Sequence, residues 1–201
     1  MNEISKIILF IILLILFMLI ILCLSDNYLG EFFLEYRNSK NGKRYGIQEI
    51  FNNSDIAVEL LAKLHNNMSD FVARLKTKYI NDKRIIRLVK GFSNVEIEET
   101  TEEANDDNTA FTINKGELIS LCIREHTDGR PFHDYNSLCF VIIHEMAHVV
   151  SISEGHNFEF IENFKFLLKE AVLMGYYTPI DYSKTPFLYC GKIKVTNNPF
   201  Y

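Results

Sequence analysis

No long basic block runs through this 201-residue chain, whose net charge is −5. A protein that works on nucleic acid needs a positive surface to neutralise phosphate, so nucleic acid is not expected as its main partner. Cysteine is scarce too. Its four residues, Cys23, Cys122, Cys139 and Cys190, form no Cys-x-x-Cys pair, which excludes the usual structural zinc knuckle. Cys23 lies in an apolar run, and the other three are an odd, sparse set that makes a poor disulfide framework. Buried free thiols are the expectation, with one bridge left open. No internal repeat is visible. The carboxylate-rich stretch from Glu98 to Asn108 lacks the regular spacing and turn glycine of a calcium loop and reads as a solvated loop.

Sixteen Phe and ten Tyr supply apolar bulk for a core. From Ile7 to Leu24 the chain is continuously apolar, without charge, Gly or Pro. A run of that length at helical rise covers about 27 Å, close to the hydrocarbon thickness of a bilayer. A cleaved signal sequence would have a shorter apolar region ending at small residues. Residues 1–25 are therefore expected to form a retained transmembrane anchor, making a single-pass membrane protein. Lys6 and the acidic Asp26, Glu31 and Glu35 favour a cytosolic amino terminus, but Arg37, Lys40, Lys43 and Arg44 pull the other way, so the side stays open. Residues 26–50 read as a juxtamembrane linker broken at Asn38 to Gly42, and residues 51–201 as one domain.

Within that domain, Ala57 to Tyr79 carries apolar residues at helical spacing behind an N-cap at Ser54 or Asp55. His65 sits beside that stripe as a surface or boundary residue. A shorter helix is expected from Asp82 to Lys90, stopped by Gly91. Val95 to Glu98 alternates like a strand, and Ala110 to Ile113 with Leu118 to Ile123 reads as a hairpin around Asn114-Lys115-Gly116. Asp134 then caps a helix over Leu138 to Ile152. Gly155 suits the left-handed residue that ends a helix, and another helix starts near Asn157 and closes at Gly175. The tail from Tyr176 to Tyr201 is expected to wrap the domain with short strands at most.

The chemistry is concentrated in His144-Glu145-Met146-Ala147-His148, followed by Gly155-His156. Histidines four apart on a helix point the same way and can share one metal ion, with the adjacent Glu reaching a water beside it. Histidines and a glutamate buried on an apolar helix are costly without a partner, and a metal is that partner. His144 and His148 are the helical ligands. The turn at Gly155 can fold His156 back as the third, with Glu154 as the alternative. Three protein ligands leave a fourth position open, the arrangement of a catalytic zinc, Zn2+, and Glu145 is the expected general base. For the oxyanion, Tyr176, Tyr177, Tyr182, Tyr189 and Arg124 qualify only by chemical type. His133 reads as a capping or supporting residue.

His144 to His148 together with His156-Asn157-Phe158-Glu159-Phe160 resembles the zinc-site signature of the WLM/SprT-like metallopeptidases, in which Phe stands four residues after the third His. Leu118 to Arg124, Asp181-Tyr182 and Tyr189-Cys190-Gly191 are similar to small membrane-anchored metallopeptidase-like proteins of large DNA viruses. The resemblance covers the carboxy-terminal half. It implies an α+β, minimal zincin-like domain with an active-site helix, a following helix and a small antiparallel sheet, behind the transmembrane helix. It also implies an edge strand, from residues 110–124, that holds an extended peptide, and a place in a host or virion membrane. The expected function is a membrane-anchored zinc endopeptidase acting on a protein or peptide substrate. The alternatives are a catalytically silent zinc-binding membrane or virion protein and, less favoured by the charge, a nucleic-acid-associated repair protease.

Overall fold

A sheet of five strands and four helices of ten or more residues build the fold of the described residues, which in this computed structural model are 10–18, 34–101 and 109–201. The strands are β1 (Leu34–Asn38), β2 (Arg44–Gln48), β3 (Glu96–Glu99), β4 (Ala110–Ile113) and β5 (Leu118–Leu121), in spatial order β1-β2-β3-β5-β4. β1 with β2 and β4 with β5 are antiparallel hairpins, whereas β3 runs parallel to both β2 and β5. The α+β expectation holds, but the sheet is mixed rather than antiparallel. Two helices, α2 (Ser54–Lys78) and α3 (Lys83–Phe92), carry the chain from β2 back to the start of β3, and a crossover of that kind produces a parallel pair.

The stretch 26–50, expected as a linker, contributes β1 and β2 from residue 34 onward, with Tyr45 and Ile47 buried in the core. Most of the expected transmembrane segment lies outside the described residues, as do residues 26–33. Residues 10–18 are helical and constitute the described part of α1. Among the described residues no helix is long and apolar enough to cross a membrane. Residues 102–108 of the acidic loop also lie outside the description. The start of that loop is not solvated: Glu99 belongs to β3 and is buried. Its carboxylate accepts from Arg124 Nε at 2.7 Å and from Gln48 N at 2.9 Å. The Arg124 guanidinium is stacked between Phe51 and Phe132, 4.6 Å from each ring, and also bonds to Asn53. A buried charge needs pairing of this kind.

The long helix α2 follows its stripe from Ala57 to Leu75, though its N-cap is Asn53, because Ser54 Oγ turns back to Phe51 O. His65 belongs to the stripe itself. It is 3% exposed and lies edge-on to Tyr45 and Phe92. Lys43 Nζ donates to its Nε2 at 2.9 Å, which leaves the ring proton on Nδ1 to meet Tyr45 Oη at 3.1 Å. The α3 helix is capped by Asp82 and runs through Gly91, which was expected to end it. Gly91 serves a close approach instead. A Cβ there would lie 2.3 Å from Lys115 O and 2.5 Å from Val149, and the facing Gly116 has the same restriction against Gly91. The β4–β5 turn thus docks directly on α3.

Helices α4 (Tyr135–Val150) and α5 (Phe158–Leu173) follow, and the tail adds a separate two-stranded hairpin, β6 (Phe187–Tyr189) and β7 (Ile193–Val195). Cys122 and Cys190 are joined by a disulfide, against the expectation of free thiols, while Cys139 is free and buried. The two partners are 68 residues apart, so no spacing rule could pair them. On the chain-entropy model, closing a loop of that length contributes about 4 kcal/mol.

Replacing Gly91 with Ala should destabilise the fold by about 1–3 kcal/mol, despite alanine's better helix propensity, because the clash is with backbone. The midpoint of urea unfolding measures this. His65 gives a pH-dependent prediction. Burial, and then the nearby Lys43 charge, hold its pKa down at about 4, below the ordinary 6.5. The unfolded chain therefore binds the extra proton first, and stability present above about pH 6.5 is lost as the pH falls towards 4. In urea titrations from pH 7.5 to 4.5, His65→Gln should show a shallower decline than the wild type.

Candidate metal centre

From Leu138 to Val150 every residue of α4 is buried except His144 and His148. The helix is apolar on nearly all sides, and those two imidazoles are the partly exposed residues of this stretch at the cleft. Asp134 starts it, accepting from Ser137 N at 3.1 Å. After Ser151 the chain turns through Gly155 at φ +76° and enters α5, whose cap Asn157 accepts from Phe160 N at 3.2 Å. This reversal brings His156 over α4. Its Nε2 lies 3.0 Å from His144 Nε2 and 3.1 Å from His148 Nε2. All three ligand atoms fall within 4.8 Å of one another.

Burial, followed by the neighbouring imidazoles, pushes the pKa of His144 down to about 3 and that of His148 to about 4, so both are neutral at ordinary pH, the form that ligates a metal. Phe160 is packed against all three rings, with centroids 4.8, 4.3 and 4.7 Å from His144, His148 and His156. Glu145, next to His144 on the helix, lines the same cleft and is 3% exposed. Burial pushes its pKa up to about 7, opposed by a hydrogen bond from Thr112 Oγ1 to Oε2 at 2.9 Å. Thr112 stands on β4, so the edge strand and the helix are joined at that carboxyl.

The loop carrying His156 is fastened by side chains on both sides. Glu159 accepts from Ile152 N and Ser153 N, each at 3.0 Å, and from Ser153 Oγ at 2.6 Å. Lys115, at the docked β4–β5 turn, donates to His148 O at 3.3 Å and Ser153 O at 3.4 Å. It also pairs with Glu154 at 3.1 Å, and Glu154 is exposed rather than turned into the histidine group. Buried Asn163 donates to Ser151 Oγ at 2.9 Å. Of these residues, the sequence marks Glu154 as an alternative ligand, Lys115 as a turn residue and Asn157 as the start of a helix, but none as a support of this loop. Glu159 in a first helical turn is a visible signal, but Thr112 and Lys115 act across the fold and leave none.

The histidines and Glu145 border a cleft of about 780 Å³. Thr109 to Thr112, at the edge strand, line it, and so do Tyr189, Ile193 and Val195 of the tail hairpin. Of the residues singled out for an oxyanion, Tyr189 alone lines this cleft. Arg124 is committed to Glu99, and Tyr176 to Asp70. Tyr177 accepts from Asn198 at 2.9 Å, and Tyr182 is buried edge-on to Phe140. His133 is a supporting residue: buried, it accepts from Cys190 N at 3.3 Å and stacks near Tyr189. Cys122, His126 and Cys190 also converge, but the two sulfurs are bonded to each other.

The mixed α+β fold, with this helix and cleft, is of the metallopeptidase-like class. The chain belongs to the WLM domain family, whose model matches residues 89–191, just over half of its length. Among curated proteins it is 39% identical over 85 residues to an uncharacterised protein of Acanthamoeba polyphaga mimivirus, covering 42% of this chain and 43% of that one. It is 45% identical over 69 residues to an uncharacterised protein of Invertebrate iridescent virus 6, covering 34% and 38%. The matches thus span less than half of these relatives. Among solved structures, Wss1 from Saccharomyces cerevisiae aligns over 64% of this chain and 88% of that chain, at 17% identity and a TM-score of 0.46. A Wss1 mutant from S. pombe aligns over 62% and 92%, at 21% identity and a TM-score of 0.41.

Because Phe160 is 2% exposed and faces three imidazoles, Phe160→Ala should cost about 3–5 kcal/mol in urea unfolding. Exposed Phe158 on the same turn is the control, and its alanine variant should fall within about 0.5 kcal/mol of the wild type.

Proposed function

We propose that the chain is a zinc-dependent endopeptidase, held to a membrane by its amino-terminal segment. The observation that carries this reading is the meeting of three imidazole nitrogens with a buried carboxyl in one cleft beside an edge strand. His144, His148 and His156 would hold the ion. The donor set fits: tetrahedral nitrogen ligands at zinc distances subtend about 3.3 Å, and two of the edges here are 3.0 and 3.1 Å. Zinc bound there would supply Lewis acidity towards the scissile carbonyl and a lowered pKa for a water in the open position.

Glu145 is the general base in this reading. It takes a proton from the attacking water and returns it to the leaving amine. Burial, which lifts its pKa to about 7, suits a group that must both accept and release a proton near neutrality. Thr112 holds one carboxylate oxygen and leaves the other for that transfer. The outer edge of β4 offers backbone donors and acceptors to an extended protein or peptide substrate. The apolar run Ile7 to Leu24 would be the anchor, and similarity to viral proteins favours a host or virion membrane. A silent zinc-binding scaffold would need the histidines but would have no use for Glu145.

Two measurements on the full chain test this. Elemental analysis should find one zinc per wild-type chain and a loss of metal in His148→Ala; equal absence from both ends the zinc reading. Peptide-library cleavage should fall by about 10²–10⁴ in Glu145→Gln. Equal activity in the two forms, or none in either with zinc retained, favours the silent scaffold.

A further inference from the structure

The tail hairpin is a cleft wall without a sheet to support it. Among the described residues β6 and β7 pair only with each other, yet Tyr189, Ile193 and Val195 line the cleft that β4 also borders. The outer side of the hairpin is open to solvent, with Leu188 53% exposed. Its inner side chains pack on the core, with Tyr189 against His133 and Phe187 against Tyr182, and its covalent and backbone ties are concentrated around one residue. Cys190 is bonded to Cys122, one position beyond β5, and its N–H donates to His133. The next residue, Gly191, lies so close to His126 that a Cβ would be 2.6 Å from the His126 Cβ. Cys190 itself and Gly191 both have positive φ, +54° and +65°, so the hairpin turns sharply at its point of attachment.

We propose that the Cys122–Cys190 disulfide is a positioning element of the cleft: it clamps the hairpin in place, and the peptide channel is complete only in the oxidised chain. A short hairpin that loses its one covalent tie keeps only a few side-chain contacts and opens at low cost, whereas α4 and α5, packed along their whole lengths, do not. The chemistry is thiol–disulfide exchange with a dithiol. A reductant thiolate attacks Cys122 Sγ, the S–S bond breaks, and Cys190 leaves as a thiolate. The second thiol of the reductant then releases Cys122, so the reductant departs as a disulfide and the chain holds two thiols. His126 Nε2 is 3.2 Å from Cys190 Sγ, and in its protonated form it would stabilise that leaving thiolate. The reverse reaction, transfer of a disulfide from an oxidised donor, must therefore precede cleavage of substrate. The two sulfurs are buried, so exchange requires the hairpin to open locally.

The catalytic half of this inference rests on the peptidase reading; the structural half does not. The test compares the full chain oxidised, reduced with a trialkylphosphine that leaves zinc in place, and as Cys122→Ser with Cys190→Ser, with Cys139→Ser as control. Amide hydrogen exchange should speed up at least about tenfold across residues 187–195 on reduction while α4 stays protected. On a cleavable peptide, KM should rise about tenfold with a smaller change in kcat, and re-oxidation should reverse both. The proposal is overturned if exchange at 187–195 is unchanged, if α4 loosens equally, or if the hairpin loosens without any change in KM. If the hairpin loosens and no form cleaves peptide, the clamp stands and the peptidase reading is what fails.

Discussion

The rest of the structure depends on α4 being buried on almost every side. An apolar helix in that position has nowhere to put polar groups except through a deliberate opening, and His144 and His148 are that opening. Each neighbouring element is placed by the need to cover the helix. β4 and β5 lie along it, α3 crosses near Val149, and α5 returns across the histidine face with Phe160 as its contact. The carboxyl of Glu145, buried by the same packing, finds its hydrogen bond on β4. Burial is thus what neutralises the imidazoles and raises the glutamate, and the same force that builds the core prepares the chemistry of the site.

Two features fix the geometry around that helix. Gly91 and Gly116 allow the backbone of the β4–β5 turn to touch α3, which delivers Lys115 to the carbonyls at the end of α4. Glu159 holds the other flank of the same loop from the first turn of α5. His156 is therefore carried on a loop tied at both sides, although its own side chain is exposed. Farther away, the Glu99–Arg124 pair locks β3 to the segment after β5 and to the start of α2. Arg124 has a structural task there, which is why it is not found at the cleft although its chemical type would suit an oxyanion.

Helices and their ends were legible because their causes are local. The stripe of α2, the caps Asp82, Asp134 and Asn157, and the left-handed Gly155 and Gly175 each follow from interactions within a few residues. Gly91 misled for the same reason: a local rule reads it as a stop, whereas it is small to admit Lys115 from a different element. His65 was placed at a boundary because a histidine beside an apolar stripe is polar in isolation; Lys43 and Tyr45, some twenty residues earlier, make its burial possible. The polar composition of residues 34–48 hid two strands, since one is an edge and the other owes its burial to α2.

The sequence alone determined the phase of α4, and with it the common face of His144 and His148, because four residues at helical pitch leave no other arrangement. It also determined the reversal at Gly155 that sends His156 back. Tertiary structure decided the remainder: the mixed order of the sheet, the bond between Cys122 and Cys190, the packing of Phe160 on the three imidazoles, and the tying of the loop by Lys115 and Glu159. Those contacts join residues far apart in the chain, and their energy comes from burial and pairing that exist only once every layer is in place.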